Sequence, residues 1–258
     1  MDSHERDIAR DTLVRYSGSK IKDFQKYILL TNFPHYVDYF AEKTGGQISQ
    51  GSMMKVCHSY EHKISILDYK IGSPAAALAV DLLSFVNPAS CLMLGMCGGL
   101  RRKYKIGEYL LPVASVRGEG TSSFYFPDRI PALSNFFIQR SMAEIMDKSG
   151  IKYYIGTTHS TNIRFWEFND AFRQQLIDEK VQAIEMECAT LFIAGYKRKV
   201  PIGALLLISD KPLDKHGIKT MESSQRVKKN HTATHVDLGI AVMEHLKQFK
   251  NKPKAQLD

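Results

Sequence analysis

VQAIEMECATLFIAGY, residues 181–196, joins a short apolar run, Val181 to Ile184, to a small-residue helical pattern, Cys188 to Tyr196. Glu185-Met186-Glu187 lies between them. Two carboxylates inside an otherwise apolar stretch are expensive to bury unless each has partners. If a strand turns into a helix here, the free N–H groups of the first turn favour a charged carboxylate. An ionised glutamate only accepts hydrogen bonds, so its two oxygens suit a pair of hydroxyls such as a sugar diol. The alternative is that both glutamates simply cap the following helix.

Outward from this stretch, strands and helices alternate. Residues 4–15 are helical in pattern and end at small polar residues, Ser17-Gly18-Ser19. Tyr27 to Thr31 reads as a compact strand, and Pro34 opens a helix to about Glu42. Gly45-Gly46 and Gly51 punctuate a loop, followed by a hairpin or meander over 53–58 and 63–69. Gly72-Ser73-Pro74 starts a buried helix, and Ser90 to Leu94 is a strand entering the glycine stretch Gly95 to Gly99. Further strands are expected over 106–116, 152–158 and 201–208, with helices over 131–148, 170–179 and 222–249. A loop from His159 to Trp166 holds the only tryptophan. Many strands are apolar on both faces, and no repeat or linker interrupts them. The pattern predicts one α/β domain, residues 1–258, with a central mixed, mostly parallel sheet flanked by helices. Residues 1–26 form an N-terminal helical and loop extension, and 250–258 a disordered tail.

With 258 residues, 44% hydrophobic and 24% charged, the chain has a globular composition. Its charged start does not resemble a signal peptide, and no apolar run approaches the ~20 residues of a spanning helix. Cys57, Cys91, Cys97 and Cys188 lack CxxC pairing and read as reduced thiols in a cytoplasmic protein. Neither a metal site nor a cofactor is expected. The formal charge of +8 suits an anionic partner, a phosphorylated small molecule or nucleic acid. The basic runs lack the interleaved exposed aromatics of a nucleic-acid surface, and acids at the strand ends would repel phosphates. A nucleic-acid partner and a membrane association are therefore both set aside.

Sites in such folds form beyond the carboxyl ends of strands. Three features fall there: Gly95 to Gly99, Glu185 to Glu187 and Ser209-Asp210. The glycines either let backbone N–H groups approach a ligand or make a tight turn. They form neither a GxGxxG fingerprint nor a P-loop. Asp210, held at the mouth of an apolar strand, has the setting of a proton donor, or else caps a turn or pairs with Lys211. His231 and His235 stand at i, i+4, but without a third ligand they read as a solvated helix face.

The stretches Gly95–Leu100, Ile106-Gly107-Glu108, Ile184–Ala189 and Ile208-Ser209-Asp210 together resemble the nucleoside phosphorylase superfamily of purine phosphorylases and nucleosidases. Tyr16-Ser17-Gly18, Tyr27–Asn32, Tyr36-Val37-Asp38, Trp166-Glu167 and Ser209–Leu213 are similar to AMP nucleosidases within it, in a short form without their N-terminal regulatory domain. The resemblance implies that Glu187 binds the ribose hydroxyls, Met186 packs on the sugar, and Asp210 protonates or hydrogen-bonds N7 of the purine. Phe165 or Trp166 would stack near the base. Glu185, Ser209, Gly98, Cys97 and Asn32 complete the expected substrate contacts.

Phosphorylases of the superfamily keep an arginine before the glycine stretch, a serine within it and an arginine in their first βα turn, all for inorganic phosphate. Met93, Met96 and Tyr36 stand at those places here. The resemblance therefore implies hydrolysis of AMP to adenine and ribose 5-phosphate, with water as the nucleophile. The alternative is a phosphorylase or nucleosidase for unphosphorylated nucleosides. His35 is the candidate water-activating base. Arg15, Ser17, Ser19 and then Arg164 are the candidates for the 5′-phosphate. A homo-oligomer, a hexamer built from dimers, is expected by resemblance.

Overall fold

The computed structural model describes residues 3–248. The expected tail and Phe249 lie outside them. Helix α1 (Ser3–Ser17) leads through a short 3-10 turn to β1 (Tyr27–Thr31), and α2 (Pro34–Thr44) follows with Pro34 in its first turn. Strands β2 (Gln47–Gln50), β3 (Lys55–Ser59) and β4 (Ile64–Asp68) form an antiparallel meander. Expected as loop, β2 is mostly exposed and lacks the apolar alternation that marks a strand in sequence.

Next come α3 (Ser73–Ser84), β5 (Ser90–Gly99) and β6 (Tyr109–Gly118). The two-residue β7 (Ala132–Leu133) pairs with β6 and precedes α4 (Phe136–Ser149). Asn135 caps that helix, its Oδ1 accepting from Phe137 N at 3.0 Å, so the helix expected from Pro131 begins five residues later at Phe136. Strand β8 (Tyr153–Thr161) takes in His159, expected in a loop. The chain closes with α5 (Asp170–Asp178), β9 (Ala183–Glu185), α6 (Cys188–Arg198), β10 (Ile202–Asp210) and α7 (Met221–Gln248).

The sheet has ten strands, and its longest ladders, β6–β8 and β5–β10, are parallel. Side chains alternate across it: Ile28 and Leu30 pack under α1, α3 and α6, Tyr27 and Leu29 under α2, α4 and α7. Because β10 pairs with both β5 and β6, the path β5–β9–β8–β6–β10 returns on itself. The carboxyl ends of β1, β5, β8, β9 and β10 are thereby gathered at one place.

The glycine stretch is neither turn nor loop but the second half of β5. A Cβ on Gly98 would lie 2.9 Å from Pro212 Cγ, and one on Gly99 2.9 Å from Ile208 Cγ2. Close packing against β10 and the residues after it leaves no room for a side chain at either glycine. His235 also departs from expectation. It is fully buried, its Nδ1 2.9 Å from Tyr36 Oη and its Nε2 3.0 Å from Leu205 O. Burial lowers its pKa to about 3, so it is a neutral core residue, not part of a solvated face.

Candidate active site

A cavity of about 160 Å³ opens where these strand ends meet. It is lined by Asn32 after β1, Met96 to Gly98 on β5, Thr161 on β8, the Ile184–Glu187 segment and Ser209-Asp210 on β10. All three sequence features at strand ends therefore reach one space.

Glu185 and Glu187, two residues apart, have different environments. Glu185 Oε2 accepts from Glu187 N at 2.7 Å and Cys188 N at 2.6 Å, taking the free N–H groups at the start of α6. Its Oε1 accepts from Ser160 Oγ, from Thr158 Oγ1 at 3.2 Å and from Ser115 Oγ at 3.4 Å. Three hydroxyls and two amides thus occupy it. Glu185 is the capping residue, and although it lines the cavity its oxygens are engaged within the protein.

Glu187 makes no side-chain cap. Its Oε1 accepts from Gly72 N at 2.7 Å and from Asn32 Nδ2 at 3.4 Å. Gly72 has φ +96°, a conformation open to glycine, and it aims its N–H at the carboxyl. Burial, reinforced by the charge of Glu185, pushes the Glu187 carboxyl up to about 8; the Gly72 N–H and Asn32 oppose this. The charged form expected at a helix N-terminus is therefore not the favoured one, because Glu185 has taken the first-turn amides and leaves desolvation dominant.

At the other end, Ser209 Oγ donates to Asp210 Oδ1 at 2.6 Å. Burial raises the Asp210 carboxyl above its ordinary range, against the Ser209 hydroxyl, Lys219 and Arg164; Glu167 adds to the rise. Lys211, an expected partner, instead pairs with Asp214 at 2.6 Å. Lys219 Nζ donates to Ser209 Oγ at 3.1 Å, and burial lowers its pKa while Asp210 opposes the shift. Trp166 is 5% exposed and packs at 5.9 Å from Phe172, whereas Phe165 is 75% exposed and does not line the cavity. At the start of the 3-10 turn Trp166–Phe168 one ring thus points inward and the other out.

A family model described as the phosphorylase superfamily matches residues 26–238. The chain belongs to the phosphorylase superfamily. It is 29% identical to the AMP nucleosidase of Escherichia coli (strain K12), over 95% of this chain and 60% of that protein. It is 26% identical to a uridine phosphorylase of Thermococcus kodakarensis, over 74% of each. Among solved structures, an AMP nucleosidase from Bacteroides thetaiotaomicron VPI-5482 superposes with a TM-score of 0.85 at 34% identity, covering 96% of this chain and 100% of that one. The chain thus spans about 60% of the length of the E. coli relative.

At the positions where superfamily phosphorylases hold phosphate, Met93 and Tyr36 are fully buried in the core, Tyr36 turned toward His235. Met96 lines the cavity and brings a thioether. His35 does not line it but packs against Phe33, which does; burial, with Lys228, lowers its pKa to about 4, so it is neutral. Ser17 Oγ donates to Leu13 O at 2.6 Å, and Ser19 Oγ lies 2.9 Å from His58 Nε2. Both hydroxyls are spent at the end of α1, and Arg15 is exposed against the Tyr16 ring. Within one chain none of these three reaches the cavity. Arg164 does, with Nη1 2.9 Å from Glu167 Oε1, at the Asp210 end.

Gly72, Lys219 and Glu167 were not among the expected site residues. Trp166-Glu167 and Gly72-Ser73-Pro74 were visible as motifs, but only the folded chain connects them to the cavity. Lys219, in a charged loop, gave no signal. The four cysteines are free and buried. No helix among the described residues is long and apolar enough to cross a membrane.

Proposed function

We propose that the protein hydrolyses the N-glycosidic bond of AMP, giving adenine and ribose 5-phosphate. One observation carries the reading. Two carboxyls with raised pKa, Asp210 and Glu187, line one cavity, and Met93, Met96 and Tyr36 stand where a phosphorylase would keep its phosphate ligands. Similarity to the AMP nucleosidases of E. coli and B. thetaiotaomicron supports AMP as the substrate.

In the proposed mechanism the C1′–N9 bond breaks largely ahead of attack, leaving cationic character on the sugar and the electron pair on the purine. Asp210, whose carboxyl burial raises above its ordinary range, gives a proton to N7, so that adenine leaves neutral. Water forms the new C1′–O bond and releases a proton to solvent, from which Asp210 is reprotonated. Glu187 takes the ribose hydroxyls and Trp166 lies beside the base. Glu187 acts as the carboxylate, its proton released to solvent as the substrate binds, and sets a negative charge beside the sugar as positive charge grows there. Met186 packs on the sugar, and Asn32 holds Glu187. No cofactor or metal enters the reaction.

The working form is a homo-oligomer, a hexamer built from dimers, in the cytoplasm; free thiols suit a reducing compartment. A second copy's α1 would offer its exposed Arg15 to the 5′-phosphate. The test is incubation with AMP, adenosine and inosine, with and without phosphate, identifying the sugar product. Ribose 5-phosphate from AMP without added phosphate is expected. Strict phosphate dependence with ribose 1,5-bisphosphate as product would make the enzyme a phosphorylase and remove the reading.

A further inference from the structure

Glu167 is 5% exposed, lines the cavity and stands in the turn after β8. Its Oε1 is paired with Arg164 at 2.9 Å, but its Oε2 is buried without a hydrogen-bond partner. Buried polar atoms are normally partnered, and leaving a carboxylate oxygen without a donor is costly. An atom of this kind beside a cavity is satisfied by a donor that the ligand brings. Glu167 is also close enough to Asp210 for its charge to act on that carboxyl. Both acids line the one cavity, so one edge of a ligand can meet both.

Adenine presents N7, an acceptor, and next to it the N6 amino donor; guanine and hypoxanthine present two acceptors, N7 and O6. Asp210 in its proposed role as proton donor matches N7 in each. A carboxylate paired with arginine only accepts, so it complements N6–H and opposes O6. Resting on the proposed nucleosidase reading, we infer that Glu167 is the residue that selects a 6-aminopurine and rejects a 6-oxopurine, through its free Oε2. Arg164 positions it, which gives that arginine a role at the base and not at the 5′-phosphate.

The experiment compares AMP with IMP, which share the sugar phosphate and differ at the 6-position, in wild type and E167Q. An amide of the same size can turn either its oxygen or its NH₂ toward the base. The AMP-to-IMP ratio of kcat/KM is expected to fall by about 10–100-fold, the usual span for a hydrogen bond to a charged group. Calorimetric binding of free adenine and hypoxanthine to both proteins gives the same ratio without hydrolysis. Equal losses for both purines in E167Q would make Glu167 a structural anchor for Arg164 and overturn the inference, leaving AMP hydrolysis standing. Wild type that hydrolyses no AMP, yet binds adenine over hypoxanthine in a Glu167-dependent way, would remove the reaction and keep the inference. Should E167Q not fold, the wild type decides: N6,N6-dimethyladenine, lacking the donor, must bind at least ~10-fold more weakly than adenine, and equal binding overturns the inference.

Discussion

At one end of the cavity Glu187 stands on the turn between β9 and α6, tied by Gly72 N and Asn32 and backed by Glu185 with its three hydroxyls and two amides. At the other, Asp210 closes β10, and the groups around it, Arg164, Trp166, Glu167 and Lys219, all stand on connections. The first end is fixed by sheet register and a helix start. The second is assembled from two segments, 162–168 and 211–220, each placed by side-chain contacts such as Arg164–Glu167 and Lys219–Ser209. A diol presents similar geometry in every ribonucleotide, whereas the base is what distinguishes one from another. In the proposed reaction strand ends would hold the invariant part of the substrate and connections would read the variable part, as connections carried on a rigid scaffold commonly do.

The largest expected effect lies at the Asp210 end. Asp210→Asn keeps size and the Ser209 contact but cannot transfer a proton, so kcat on AMP should fall by ~10²–10⁴-fold with a smaller change in KM. Near-full kcat in a folded variant would place the acid elsewhere.

At the Glu187 end the sharper probe is pH. The folded pKa, about 8, is raised above the ordinary carboxylate value, so folded protein keeps a proton that unfolded chain has lost. Stability from this group is fully present below about pH 4.5 and is lost as pH rises toward 8, by at most ~1.4 kcal/mol per pH unit. Urea unfolding of wild type and Glu187→Gln across that window should show the variant gaining relative stability with pH. A difference that does not change with pH would mean that Glu187 is ionised in the fold.

Glu185→Gln replaces one carboxylate oxygen by an NH₂ that confronts donors. It should lower stability by about 1–3 kcal/mol, a Tm loss of several degrees. An unchanged Tm would show that the two glutamates are equivalent, and the contrast between them would fail.

The smallest effects separate neighbouring rings. Trp166→Ala should raise the KM for AMP by roughly 5–100-fold, from the ~1–3 kcal/mol typical of an aromatic–base stack. Phe165→Ala, which removes a ring exposed to solvent, should change KM less than about twofold and stability within ~0.5 kcal/mol. A reversal of that order would require a different arrangement of the 162–168 segment around the base.

Much of the fold was legible because apolar runs bounded by Gly, Pro and Asn mark strands and helix ends directly. Tyr27–Thr31 was read to the residue, and Gly150, with φ +63°, does stop α4. Strand β2 escaped because both its faces are mostly wet, and the glycines of β5 misled because crowding by Pro212 and Ile208 is not written near them. At the site, carboxyls at strand ends stood out as charge against an apolar background. Glu167, Gly72 and Lys219 did not, since nothing in their own neighbourhoods distinguishes them from ordinary turn and loop residues.

Sequence alone determined the alternation of elements, the superfamily resemblance and the positions of Glu187 and Asp210 at the edge of the sheet. These follow from local hydrophobic pattern and from residue chemistry that each segment carries by itself. Tertiary structure decided which glutamate caps α6, raised the Glu187 carboxyl by burial, and turned one aromatic inward. It also placed His235 in the core and left Glu167 with a free oxygen. Those outcomes depend on donors, charges and solvent exclusion brought by segments distant along the chain, such as Gly72 to Glu187 and Tyr36 to His235. Protonation and orientation are properties of that assembled environment, so the residue type alone does not contain them.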